Sequence, residues 1–207
     1  MPPLPREKTA HRRKQIIDAA LACFTDLGFT ETTMDHIRRR SNASTGSIYH
    51  HFQSKDQLAA EVYLDGLLDY QRGILEELGR HRDARQGIAA MVRHHLRWVA
   101  DNTAWARYLF LMRQAEFLAP TDEAIQNVNR AFVKQVARWF EPHIKARRLR
   151  ELPRDLTIAL LLGPSQEFTR QYLTEQSKTD IASASETLAE ATWRALKTEP
   201  EDGSDTN

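Results

Sequence analysis

Three residues that favour the start of a helix, Thr33, Ser44 and Ser54, lie eleven and ten positions apart. Each hydroxyl can accept a hydrogen bond from the free N–H groups of a helix's first turn. Ser54 followed by Gln57 also has the spacing of a capping box. Starts this close leave room for only two short helices, expected over residues 34–40 and 45–51. The stretch Ser41-Asn42-Ala43-Ser44 between them reads as a tight turn, because Asn42 tolerates a left-handed backbone. A long helix precedes them over residues 6–27. Ile16, Ile17, Ala20, Leu21, Phe24 and Leu27 fall on one of its faces, and Gly28 follows as a stop.

Helical spacing continues through the rest of the chain, with no strand alternation. Further helices are expected over 54–78, 83–100, 103–118, 122–141, 154–177 and 180–197. Asp83 and Thr103 are expected to cap two of them, and Pro120 to end one. Pro142 is expected to break or kink the helix before it, and Gly163-Pro164 to kink another. The fold class is therefore all-α with about nine helices. Its N-terminal three-helix helix-turn-helix domain covers residues 1–53, a larger helical domain covers 54–198, and residues 199–207 form an acidic tail expected to be disordered.

Charge is unevenly placed. Nine lysines and arginines against five acids in residues 1–55 leave a surplus of +4 in a chain of net charge +1, so the remainder carries −3. A basic end on a mildly acidic body points to a polyanion as partner. The lone Cys23 allows no disulfide within the chain, which favours a reducing compartment; it reads as core filler. The N-terminus has no signal-peptide pattern, and no segment is apolar for the length of a membrane span. A cytoplasmic protein with no membrane partner is the expectation.

A recognition helix must be short, polar on its outer side, apolar on its inner side, and ringed by phosphate donors. Ile48 and Phe52 are four apart and can face Phe24 and Leu27. Thr45, Gly46, Ser47 and His50 lie on the opposite side, and Tyr49, His51, Lys55 and Thr33 supply donors around them. Spacing alone leaves open a small helical subdomain with a polar face and no such role.

The run 16–62 resembles the TetR family of regulators. The resemblance rests on Phe24 with Gly28-Phe29, Thr32-Thr33 with Ile37, the stretch Ser44-Thr45-Gly46-Ser47-Ile48-Tyr49-His50-His51-Phe52, and Ser54-Lys55 with Leu58. The turn departs from the family's usual Ala-Gly-Val, reading Ser41-Asn42-Ala43. The resemblance implies a DNA-binding set of Thr33, Ser44, Thr45, Gly46, Ser47, Tyr49, His50, His51 and Lys55. Thr45, Ser47 and His50 would face base edges, Gly46 would approach them closely, and Tyr49, His51, Lys55 and Thr33 would hold phosphates. Arg6, Lys8, Arg12, Arg13 and Lys14 form either a flexible DNA-reaching arm or a solvated tail.

The resemblance further implies a homodimer on double-stranded DNA and a small-molecule effector, with no cofactor and no metal. Leu156, Leu160, Phe168, Tyr172, Leu188, Trp193 and Leu196 are candidates for the dimer interface, with the protomer core as the competing reading. Aromatic residues spread over the middle helices suit a hydrophobic or aromatic effector. His95, Trp98, Trp105, Tyr108, Met112, Phe132 and Phe168 are the candidate contacts, with Phe110, Phe117 and Trp139 nearby in sequence, and plain core packing is again the alternative. His95 lies centrally on an apolar face and reads first as a hydrogen-bonded core histidine. The adjacent His94-His95 pair diverges by about 100° on a helix and makes a poor chelate. Arg113 and Glu116, three apart, are expected to pair. No nucleophile motif, phosphate-cradling glycine loop or metal spacing appears. The chain is therefore read as a transcriptional regulator, most simply a repressor, and not an enzyme. The alternative is a DNA-bound interaction protein of the same fold with no small ligand.

Overall fold

The computed structural model describes residues 5–112, 118 and 121–199, and their side chains except those of residues 5–8, 111 and 122. The described residues form nine helices: α1 (Pro5–Glu31), α2 (Met34–Arg40), α3 (Thr45–His51), α4 (Lys55–Arg80), α5 (Ala84–Asp101), α6 (Thr103–Leu111), α7 (Asp122–Lys145), α8 (Arg154–Leu173) and α9 (Ile181–Leu196). The only strand-like pairing among them is an isolated bridge between Leu149 and Lys197. No helix of the described residues is long and apolar enough to cross a membrane. Arg113, Glu116, Phe117 and Pro120 lie outside the described residues, as does the tail from residue 200.

The chain packs as two compact units. The first comprises Met1–Asp69 and Asn102–Val128. Its core joins Ile16, Ile17, Ala20, Leu21 and Phe24 of α1 to Ile37 of α2, Ile48 of α3, Phe52, and Leu58 and Val62 of α4. Tyr108 of α6 completes it: its ring stacks on Phe24 at 5.6 Å and its hydroxyl donates to Ala59 O at 2.8 Å. Full burial of each such side chain is worth about 1.5–3 kcal/mol, which is why helices of one or two turns persist here. Gly28 ends the regular part of α1 with φ 79°, a left-handed angle that glycine adopts without steric cost. The reversal carries Phe29 back onto Phe24, ring centres 5.6 Å apart. Leu27, expected to face α3, is instead 47% exposed; Phe29 packs against that core from just beyond the reversal.

The second unit comprises Tyr70–Asp101 and Asn129–Asn207. Ile74, Ile88, Met91, Phe140, Leu161 and Leu196 belong to its main core. Val92, Leu96, Ala184 and Ala189 form a smaller cluster where α5 meets α9. Arg93 grips Glu186 with two bonds of 2.6 Å along that same helix pair, and Arg85 reaches Glu190 at 2.8 Å. Asp83 and Asp180 cap α5 and α9, accepting from Gln86 N and Ser183 N at 2.9 Å each.

Several expected boundaries shift. Pro142 does not end its helix, for α7 runs on to Lys145; a single missing N–H late in a well-packed helix is tolerated. The Gly163-Pro164 pair lies inside α8, within the helix expected there. That helix stops at Leu173, with Glu175 just beyond at a left-handed φ of 59°. Thr103 opens α6 as a helical residue, and the N-cap Asn102 makes no side-chain cap bond.

Three glycines are contact points between helices. A Cβ on Gly66 would overlap the Trp105 ring, one on Gly73 the His94 ring, and one on Gly87 the Trp139 ring.

Candidate nucleic-acid interface

The turn before α3 forms as its residues dictate. Asn42 takes a left-handed φ of 50°, and Ala43 N closes back on Arg38 O at 3.1 Å. Arg12 reaches from α1 to Ser41 O at 3.3 Å, which ties the turn to the first helix. Ser44 caps α3 by accepting Ser47 N at 3.1 Å. Thr33 caps α2 by accepting His36 N at 3.2 Å. In both cases the hydroxyl oxygen is occupied as acceptor while its O–H remains able to donate, which is the geometry a phosphate oxygen needs.

The α3 helix is two-sided. Ile48 and Phe52 are 0% and 1% exposed. Thr45, Gly46, Tyr49 and His50 are exposed, and Ser47 is half-buried. A Cβ on Gly46 would meet no atom within 4 Å, so the outer face is flat and open there. The face carries donors and acceptors but no acid, and is short enough for a major groove about 12 Å wide.

Behind α3, the Arg13 guanidinium lies 5.6 Å from the centre of the Phe52 ring and pairs with Glu61 of α4. His51 is half-buried beside it. Burial, then His50, Arg13 and Arg12, holds its imidazole pKa below the usual value, so His51 is a neutral donor at neutral pH. Lys55 turns inward, donating to Phe29 O at 2.8 Å and Thr30 O at 3.3 Å.

The basic surplus is thus largely spoken for within the chain. Arg38 and Arg39 both pair with Asp35 at 2.7 Å, Arg40 with Asp26 at 2.5 Å, and Lys14 with Asp18 at 3.4 Å. These pairs are exposed and weak, so phosphates can displace them. Of the two readings left open for the basic run, neither a flexible arm nor a loose tail describes Arg12, Arg13 and Lys14, which lie within α1; the side chains of Arg6 and Lys8 lie outside the described residues. One contributor escaped the sequence reading, His36, whose Nδ1 approaches Thr33 N at 3.4 Å; for Arg12, read there as part of the basic run, the hold on the turn was not foreseen. Nothing in the local sequence distinguishes Arg12 from its basic neighbours.

The candidate effector residues divide between the two units. Trp105, Tyr108 and Met112 belong to the first, where all three pack with the α1 core. His95, Trp98, Phe132 and Phe168 belong to the second. His95 is 7% exposed, with Nδ1 2.7 Å from Tyr70 Oη and Nε2 2.9 Å from Thr169 Oγ1. Burial lowers its pKa to about 4, and Trp98 packs edge-on against Tyr70 at 5.2 Å. Phe132 lies in the main core, and Phe168 stacks on Tyr172 at 6.3 Å.

The candidate dimer residues differ in what they leave open. Leu156 is 50% exposed and Leu196 only 2%. Leu160, Phe168, Tyr172, Leu188 and Trp193 are half-buried. Leu196 therefore has almost no surface to offer a partner.

Residues 16–62 match the model for bacterial regulatory proteins of the tetR family. The HTH-type transcriptional repressor Rv1474c of Mycobacterium tuberculosis is 38% identical over 87 residues, spanning 36% of this chain and 46% of that protein. That relative is thus matched over less than half of its own length. Among solved structures, a TetR family transcription regulator from Marinobacter aquaeolei superposes with a TM-score of 0.76 at 15% identity, covering 94% of this chain and all (100%) of that one. FadR from Bacillus subtilis, solved in complex with stearoyl-CoA, gives a TM-score of 0.76 at 18% identity over 88% of this chain and 98% of its own. At such identities the likeness is one of fold.

Proposed function

We propose that this chain, whose residues 16–62 match the tetR family of bacterial regulatory proteins, is a one-component transcriptional repressor that binds a palindromic operator as a homodimer and leaves it when a small effector binds. The observation that carries the reading is the two-sidedness of α3: Ile48 and Phe52 buried, Thr45, Gly46, Tyr49 and His50 open to solvent, behind a turn pinned by Asn42 and Arg12.

Short hydroxyls at Thr45 and Ser47 read bases through methyl contacts and water, so His50 carries most of the direct base discrimination. Tyr49, His51, Thr33 and Ser44 position the backbone. Lys55 joins them with the one ammonium hydrogen its two carbonyl partners leave over. In this reading residues 1–53 form the DNA-binding domain and 54–198 the effector and dimer domain.

One recognition helix covers half a site, so palindromic reading needs two copies. Leu156, exposed on α8, and the half-buried Leu160, Tyr172, Leu188 and Trp193 supply the apolar surface for that pairing. An apolar or aromatic effector fits the ring-rich surroundings of His95 and Trp98, and the stearoyl-CoA held by FadR supports a ligand with a large apolar part. Such a ligand acts by favouring a conformer whose two α3 helices no longer match successive major grooves.

Selection of duplexes from a random pool, followed by anisotropy titration over a range of salt, tests the reading. Enrichment of a palindrome, a steep loss of affinity with salt, and relaxed base preference in His50→Ala are expected. Failure to enrich any duplex, with affinity indifferent to salt, would overturn it.

A further inference from the structure

A concavity of about 560 Å³ opens in the second unit, where α4 and α7 end. That volume is within the roughly 300–1,000 Å³ of ordinary ligand sites. Leu78, Trp139, Pro142 and Ala146 give it an apolar wall, and Arg82, Arg138 and Arg148 give it a cationic rim. All three arginines are exposed, and none has an ion-pair or hydrogen-bond partner for its guanidinium among the described residues. Other arginines of the same unit are paired: Arg85 and Arg194 with Glu190, Arg93 with Glu186, Arg170 with Glu167. Three unpaired guanidiniums gathered around one cavity contrast with those pairs. Asp83, the acid beside Arg82, has its carboxylate engaged as the cap of α5.

The wall is held in place before any ligand arrives. Trp139 Nε1 donates to His81 O at 3.0 Å. The edge of its ring fills the space above Gly87. His143, 7% exposed, lies 4.4 Å from it, centre to centre. A fixed aromatic wall loses little freedom on binding, and a guanidinium fork suits a carboxylate or phosphate.

We propose that this cavity binds a compact organic anion, with its carboxylate or phosphate held by Arg82, Arg138 and Arg148 and its apolar body against Trp139 and Pro142. The site is separate from the DNA-facing α3 and does not depend on the reading of that helix. A concavity with an apolar wall selects a small molecule with one charged end over an extended polyanion.

The test titrates the full chain with benzoate, phenyl phosphate, inorganic phosphate and benzyl alcohol, followed by tryptophan fluorescence and by calorimetry. Saturable binding of benzoate or phenyl phosphate is expected, and the tighter of the two identifies the preferred head group. Benzyl alcohol and inorganic phosphate should each bind at least about tenfold more weakly. The double variant Arg138→Gln/Arg148→Gln should weaken the aryl anion at least about tenfold while melting as the parent does, since neither side chain has a partner to lose. Arg82→Gln provides an independent second variant with the same expectation. No saturable binding of either aryl anion, equal binding of benzyl alcohol or of inorganic phosphate, or unchanged affinity in both arginine variants would each overturn the proposal.

Discussion

The Lys55 ammonium and Phe29 meet twice: Nζ donates to Phe29 O at 2.8 Å and lies 4.4 Å from the centre of the Phe29 ring. One charge therefore serves a carbonyl and a ring of the same residue, and ties the first residue of α4 to the segment that follows Gly28. In free protein this lysine is part of the scaffold under α3 before it is anything to DNA.

Lys55→Met should accordingly destabilise the chain by about 1 kcal/mol, from the lost charged hydrogen bond and the ring contact, both discounted for partial exposure. Urea unfolding of the two proteins measures it. An unchanged midpoint would show that the bond is not formed in solution.

Ser44→Ala removes the acceptor for Ser47 N and should lower stability by about 0.5–2 kcal/mol, as for other N-cap losses. Ser44→Asp, which restores an acceptor, should recover most of it. The readout is the thermal midpoint of each variant.

His95 should make the protein acid-sensitive. Its ordinary pKa of 6.5 falls to about 4 in the fold, burial being the main cause. The folded state thus disfavours the proton relative to the unfolded chain. This stability is fully present above pH 6.5 and is lost as the pH falls toward about 4. The full span corresponds to about 3 kcal/mol. Urea midpoints at a series of pH values should show the parent losing more stability on acidification than His95→Gln does. Parallel curves for the two proteins would contradict it.

Thr192 is 0% exposed, and its hydroxyl has no hydrogen-bond partner among the described residues. Thr192→Val keeps the shape and removes the buried polar atom, so it should raise stability by about 1 kcal/mol. A fall in thermal midpoint would mean that the hydroxyl is satisfied by water in solution.

Much of the first unit was legible because local chemistry and burial agree there. Thr33, Ser44 and Asn42 sit at the cap and turn positions their side chains favour, and Ile48 and Phe52 bury as their spacing demands. Reading failed where tertiary packing outweighed a local rule. Pro142 looked like an end, yet α7 continues because Phe140 and His143 on either side of it are buried. Leu27 looked like core, yet the left-handed step at Gly28 brings Phe29 onto Phe24. The choice between arm and solvated tail could not be made for Arg12 and Arg13, whose partners, Ser41 and Glu61, are remote in sequence. The same distance hid the bonding of His95: periodicity placed it on an apolar face, but Tyr70 and Thr169 lie 25 and 74 positions away. The unpaired arginines around Trp139 left no local pattern at all, being drawn from three separate segments.

The three glycine-to-ring contacts carry a consequence for how such a chain can diverge. At positions 66, 73 and 87 even a methyl group would overlap the facing Trp105, His94 or Trp139, so a side chain can enter only if the ring opposite moves aside, shrinks or leaves. Each pair is then a unit of inheritance. Among homologous chains 66 should change together with 105, 73 with 94, and 87 with 139, and a lone substitution on either side should be the rare case.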